Sequence, residues 1–434
     1  MNAPRIPQFG HALDGHLDTE QKAEKQTSPK VLLVYTMWVL MLFEPDGFLA
    51  ALGPHFLART FAWSQIPVAI TLAFCAKKEA FYWPYILILL IHLVWVPFAA
   101  NTGLVRINFL TLLSFFLIFA LTVSVLTTPR ETVLLVKLAL LQFLWYGLQG
   151  IPAGLVWWHG NLSNEDSFGP FMVLGFGFSC YFMTGTSHRL YRYLSAAIGL
   201  ICTAGVIVCF ARGAMLAFLT VLVTILIRSP RRLVFLGYGL IAVAVGLIVI
   251  QLTFPGGEYW AEMQTIEGAE EDPRAVLWGL AWQLFLTSPV LGIAPGNFGP
   301  NAVEYFTGKL GAGFDDPAVL YFWDLHNDFV KILVEQGVVG VFAMGAMLIG
   351  FNNRLRFLRT EGARRRWHES TGGFIDLRNL SLGLEVAMVA FLANSFFYNQ
   401  LYMHWFWSLF ALTYVLANVT RAPAKLTVHD LART

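Results

Sequence analysis

The sequence predicts an all-α, polytopic membrane protein of about twelve transmembrane helices with one large external loop domain. Three observations carry this. The 434 residues are 57% hydrophobic and 15% aromatic. Charged residues make up 13%, where a soluble globular chain carries about a quarter. Apolar runs of about 20 residues, the length that crosses a hydrocarbon core, recur along the chain.

The first 30 residues are polar and mixed in charge. No short apolar core with a cleavage site follows them, so 1–30 is expected to be a cytoplasmic tail and not a signal peptide. Nine helices are placed within 31–253, near 31–51, 61–76, 81–99, 106–126, 132–157, 168–185, 193–211, 213–227 and 233–253. A loop domain follows at 254–325. Three more helices fall within 326–419, near 326–351, 379–397 and 401–419, and a second tail spans 420–434.

Basic residues orient these spans. With the N-terminus inside, the cytoplasmic connections hold Lys77, Lys78, Arg130, Arg189, Arg192, Arg228, Arg231 and Arg232, and 352–378 adds seven arginines. The 254–325 loop then lies outside, with ten acidic residues against Arg274 and Lys309. An external loop of this length is usually functional. Within it, "EEDPRAVLWGLAWQLFLTSP" predicts a helix with Asp272 as N-cap, Pro273 in its first turn and a stop at Pro289. "GIAPGNFGPN" reads as a bend.

The net charge of +2 points to no partner class. Cys75, Cys180, Cys202 and Cys209 sit in apolar runs without metal-ligand or redox spacing, and read as packing residues. "GFGFS" at 175–179 is no dinucleotide fingerprint; its small residues suit close helix packing. There is no phosphate-binding loop, zinc-protease motif, serine-hydrolase elbow or nucleic-acid-binding pattern.

The charged residues that remain in apolar surroundings are the candidates for chemistry. Asp324, Asp328, Lys331 and Glu335 share one helical stripe, with Lys331 at ion-pair spacing from Asp328 and Glu335. That stripe reads either as self-neutralised scaffold or as part of a site. His326 falls on another face, where an imidazole could take a proton from a hydroxyl or simply sit at the interface. Arg212 occupies a tight turn between two short spans. An arginine at membrane depth marks an anionic partner, or else pairs with a carboxylate such as Glu44 or Asp46. Arg274 opens the loop helix, where two arginines would cradle a diphosphate, or where Glu270 or Glu271 would neutralise it. Lys137 can snorkel to the surface, and "HGNLSNEDSFGP" at 159–170 reads as a polar external connection able to line a cavity.

Three of these segments together resemble the O-antigen ligase and polymerase superfamily of bacterial membrane glycosyltransferases. "ARG" at 211–213 is similar to its Ser/Ala-Arg-Gly turn. "RAVLWGLAWQLFLTSPVLGIAPGNF" at 274–298 resembles its Arg…Trp…Pro-x-x-Gly-x-Gly-x-x-x-Phe segment. "HNDFVKILVEQGVVG" at 326–340 resembles its His-Asn…Glu-x-Gly helix. The spacing holds over about 200–340; Ala294-Pro295-Gly296 and Phe329-Val330 depart from the usual residues without removing a polar group.

The resemblance implies a GT-C-like, inverting, metal-independent glycosyltransferase without a cofactor. It would move a glycan from undecaprenyl diphosphate to a lipid A–core hydroxyl at the periplasmic face of the inner membrane. Arg212 and Arg274 would bind the diphosphate and stabilise the leaving group, and His326 would activate the acceptor. Asn327, Gly213, Gly296 and Asn297 would contact substrate, and Glu335, Lys331 and Asp328 would support the site. A polymerase extending the lipid-linked glycan and a protein O-oligosaccharyltransferase share the same core. A transporter of a lipid-linked or anionic substrate is the alternative from another class, although no inverted repeat is visible.

Overall fold

The computed structural model describes residues 28–43, 56–156, 162–229, 232–253, 273–307, 321 and 324–421. Among them it is all-α, with a single isolated β-bridge between Thr186 and Ile375. The helices are α1 Pro29–Phe43, α2 Phe56–Cys75, α3 Trp83–Trp95, α4 Thr102–Val125, α5 Pro129–Gly150, α6 Glu165–Gly185, α7 Arg189–Val208, α8 Arg212–Arg228 and α9 Arg232–Thr253. There follow α10 Pro273–Thr287, α11 Phe298–Phe306, α12 Asp328–Leu358, α13 Glu361–Thr371, α14 Leu377–Asn394 and α15 His404–Arg421.

Each of the twelve expected spans meets a helix, but the helices are uneven. Among the described residues six are long and apolar enough to cross a membrane: α4, α5, α6, α7, α9 and α12. Two helices lie where loops were expected: α11 within the Gly/Pro-rich bend and α13 within the basic connection. Helix α10 starts at Pro273 and stops before Pro289 as expected; its expected N-cap, Asp272, lies outside the described residues, as do Glu44, Asp46, Glu270 and Glu271.

Local chemistry fixes several helix starts. Thr128 and Glu131 form a reciprocal capping box around Pro129 at the start of α5. Asn101 caps α4 and Asp376 caps α14 through their side chains. The core sits around α6, which is apolar on every face and enclosed by α7, α8 and α14. Gly177 permits that closeness: a Cβ there would stand 2.7 Å from Val386 Cγ1 of α14. The small-residue reading of 175–179 therefore holds. By contrast α9 exposes Leu233, Leu240 and Leu252, the pattern of a helix facing lipid.

The basic connections gather at one end of the bundle. Arg228, ending α8, and Arg359, following α12, each reach Glu385 of α14 at 2.6 Å. Arg130 Nε donates to the Ser370 carbonyl at 2.7 Å, and Arg366 Nε to that of Thr420 at 2.6 Å. Lys137 lies over the Phe374 ring at 4.8 Å. The other connections meet at the opposite end, where a Cβ on Gly154, after α5, would lie 2.7 Å from the carbonyl of Val208, ending α7.

Candidate active site

At that second end the polypeptide enters α12. Asn327 is its N-cap: Oδ1 accepts the N–H groups of Phe329 at 2.9 Å and Val330 at 3.0 Å. The helix thus begins at Asp328, two residues later than the sequence suggested, and His326 lies just outside it. His326 is half-buried and adopts φ +47°, a left-handed conformation uncommon for a side-chain-bearing residue.

Asp328 is buried and fully engaged. Its carboxylate accepts the Ser395 hydroxyl at 2.9 Å and the N–H groups of Gln400 at 3.0 Å and Leu401 at 3.2 Å, while its own N–H donates to the Ser395 carbonyl at 2.8 Å. The connection between α14 and α15 is thereby stitched to the mouth of α12. Asn327 adds two further stitches, to Asn399 Oδ1 and the Phe396 carbonyl.

Lys331 pairs with Asp324, its Nζ lying 3.0 and 3.2 Å from the two carboxylate oxygens. The ion pairs suggested by the spacing to Asp328 and Glu335 do not form, because those carboxylates are taken up by backbone N–H groups. Burial on its own would raise the Asp324 carboxyl. The Lys331 ammonium and the Leu325 N–H outweigh it and hold the group below its ordinary value.

Glu335 does for the second motif what Asp328 does for the far connection. Its oxygens accept the N–H of Gly296 at 2.8 Å and of Phe298 at 3.4 Å, placing a carboxylate at the N-terminus of α11. Two residues on, Gly337 breaks α12 with φ +65° and ψ −167°. The 289–293 strand of backbone runs through this break: Val338 N–H donates to Pro289 O at 3.0 Å, and Ile293 N–H to Val334 O at 3.0 Å. A Cβ on Gly337 would lie 2.3 Å from Val290 O, and one on Gly292 2.3 Å from the Glu335 carbonyl carbon. Only glycine fits either position.

The bend is fastened on its other side as well. Trp95 Nε1 donates to Leu291 O at 3.0 Å, and the fully buried Asn297 exchanges hydrogen bonds with the backbone of Asn101. Trp278 of α10, one turn from Arg274, donates Nε1–H to Leu325 O at 3.0 Å, tying that helix to the residue before His326.

The Arg212 turn is reached from the α14–α15 connection. Arg212 is exposed at the first position of α8 and Arg274 is half-buried at the start of α10. Packed against the turn are Phe397 and Tyr398: a Cβ on Gly213 would stand 2.6 Å from Phe397 Cβ and 2.8 Å from the Tyr398 hydroxyl oxygen. Burial raises the Tyr398 phenol, Asp166 adds to that, and Arg274 opposes it.

The structure therefore brings the first and third segments to one connection, residues 395–401, and ties the second segment to the third through Glu335 and through the Trp278–Leu325 hydrogen bond. It also sorts the predicted residues. Asn297, Asn327, Asp328 and Glu335 are buried and hold backbone, so Asn297 and Asn327, read as substrate contacts, are scaffold in this structure. Gly296 is half-buried and fixed by Glu335, and Gly213 is buried beneath Tyr398. Arg212, Arg274 and His326 keep accessible surface. The three non-glycine residues with positive φ among the described residues are Phe210, immediately before the first segment, Ala294 in the second and His326 in the third. No group of three or more His, Cys, Asp or Glu among the described residues gathers to hold a metal ion.

Sequence reasoning missed Tyr398, Asn399 and Gln400, which it placed between two spans, and gave Asp166 no role beyond a loop. The polar run Tyr-Asn-Gln between apolar helices was the one available signal.

Comparison with protein families matches residues 197–345 to the family model described as O-antigen ligase. The matched stretch runs from α7 into α12 and contains all three segments. Comparison with curated protein sequences gives no significant match.

Proposed function

We propose, from the premise that residues 197–345 place the chain in the O-antigen ligase/polymerase superfamily, that this membrane protein is a glycosyltransferase of the O-antigen ligase type. It moves a glycan from undecaprenyl diphosphate to a sugar hydroxyl of lipid A–core. The observation that carries the reading is the sorting of the site. The buried Asn297, Asn327, Asp328 and Glu335 are consumed in holding backbone, and two arginines and a histidine remain accessible.

Those groups suit the chemistry. The acceptor hydroxyl attacks the anomeric carbon as the bond to the diphosphate oxygen breaks, and the oxygen leaves with the bonding pair. Arg212 and Arg274 neutralise the charge that develops on the diphosphate. His326 takes the hydroxyl proton, its ring oriented by a backbone that the Asn327 cap and the Asp328 stitches hold in place. The gathering of basic connections at one end of the bundle supports a cytoplasmic orientation of that end, and in this reading the site works at the periplasmic side of the inner membrane.

The test is the surface-glycan profile of a host lacking the gene, complemented with wild type or with His326→Asn. Asparagine tolerates the left-handed backbone, so a loss reports on the imidazole. Full-length glycan left on the polyprenyl carrier, with bare core, is the expected profile of the deletion and of His326→Asn. Cores bearing a single repeat unit would instead identify a polymerase. Normal profiles in both strains would overturn the reading.

A further inference from the structure

Tyr398 lies outside the family-matched stretch, yet it is the side chain that meets the Arg212 turn. It is 4% exposed. Its hydroxyl oxygen takes the N–H of Ala214 and stands 2.8 Å from where a Gly213 Cβ would be. Helix α8 has Ala211 at its N-cap position and no side-chain cap of its own. The phenol supplies from a distant part of the chain what a serine or aspartate normally supplies locally.

The residues around Tyr398 are themselves anchored, Gln400 and Leu401 on Asp328 and Asn399 on Asn327. One phenol thus stands against the Arg212 turn, on a connection fixed to the residues that follow His326.

We propose that Tyr398 is a positioning residue, which holds the Arg212 turn in register with His326 so that the Arg212 guanidinium meets the diphosphate where the acceptor attacks. The proposal rests on the glycosyl-transfer reading above. Its physical basis is that a cation stabilises the leaving group only where its placement relative to the attacking group is fixed. A misplacement of about 1 Å costs on the order of 10²-fold in rate.

Steady-state transfer by the purified protein in liposomes, with a polyprenyl-diphosphate glycan as donor, tests it. Tyr398→Phe removes the hydroxyl and keeps the ring. It is expected to lower kcat/KM for the donor by roughly 10²-fold, chiefly through KM, with acceptor KM and the thermal unfolding midpoint unchanged. Combined with Arg212→Lys the loss should fall well short of the product of the two single losses, as for groups acting as one unit. Gly213→Ala, which drives a methyl onto the phenol, should reproduce the donor defect. Wild-type kinetics in Tyr398→Phe, or equal loss for donor and acceptor with a lowered midpoint, would overturn the inference alone. A wild-type protein that transfers nothing would overturn the functional reading and this inference with it.

Discussion

Glu335 and Gly296 are 39 residues apart in sequence and joined by a 2.8 Å hydrogen bond from the glycine N–H to the glutamate carboxylate. The same carboxylate accepts from Phe298, so a single buried side chain fastens the end of the bend where it enters α11. Glu335→Gln puts an amide NH₂ where one of these acceptors stood. It should cost about 1–3 kcal/mol of stability, and thermal unfolding in detergent measures it. An unchanged midpoint would mean that the bend holds itself.

Gly337→Ala addresses the break in α12. Its Cβ would enter to 2.3 Å of Val290 O at φ +65°, so backbone must shift on one side or the other. We expect a loss of about 1–3 kcal/mol together with reduced transfer, whereas Gly345→Ala, about two turns further along α12 in open space, should be neutral or stabilising.

For Asp328 the relevant comparison is asparagine against alanine. Asparagine keeps one oxygen for the Gln400 and Leu401 N–H groups; alanine leaves both unpaired in a buried place. Expression and monodispersity in detergent should fall in the order wild type, Asn, Ala, with a cost of about 1–3 kcal/mol for each orphaned group.

The Asp324–Lys331 pair gives an acid dependence. Because the folded carboxyl is held below its ordinary value, the pair stabilises the fold above that value and loses its contribution as pH falls through the lowered one. Unfolding midpoints followed from about pH 6 to about pH 3 should drop less steeply in Asp324→Asn than in wild type. Parallel curves would show that the pair contributes nothing.

At the opposite end, Glu385→Gln frees Arg228 and Arg359 from their shared carboxylate. Arg228 is 52% exposed, so solvent screens much of the pairing, and we expect about 1 kcal/mol or less. Donor and acceptor KM should not change, since none of the three residues approaches the site. A shift in either constant would mean that the two ends of α8 are coupled.

Much of this arrangement could be read from the chain. Apolar length located every helix from α1 to α9, although α5 ends at Gly150 and not at the expected 157, and Pro273 and Pro289 bounded α10. What stayed hidden was non-local. Nothing near Asp328 announces that its partners are Gln400 and Leu401, about seventy residues on. Spacing therefore offered Lys331 as its partner, whereas Lys331 pairs with Asp324. Gly337 looked like one more small residue in a membrane helix; its positive φ follows from the strand passing beside it. The arginines and the histidine were found because charge is costly in apolar surroundings, while Tyr398, being uncharged, left no such mark.

The stitches on Asp328 also set an order of events during biosynthesis. The three family segments are complete once residue 340 has left the ribosome, yet the acceptor at Asp328 has no donors until Ser395, Gln400 and Leu401 are made. A nascent chain stopped before α14 would carry every recognisable motif and still leave a buried carboxylate without partners at the threshold of α12. The site closes last, when the final hairpin enters the membrane, and a C-terminal truncation that spares all three motifs would nevertheless disarm it.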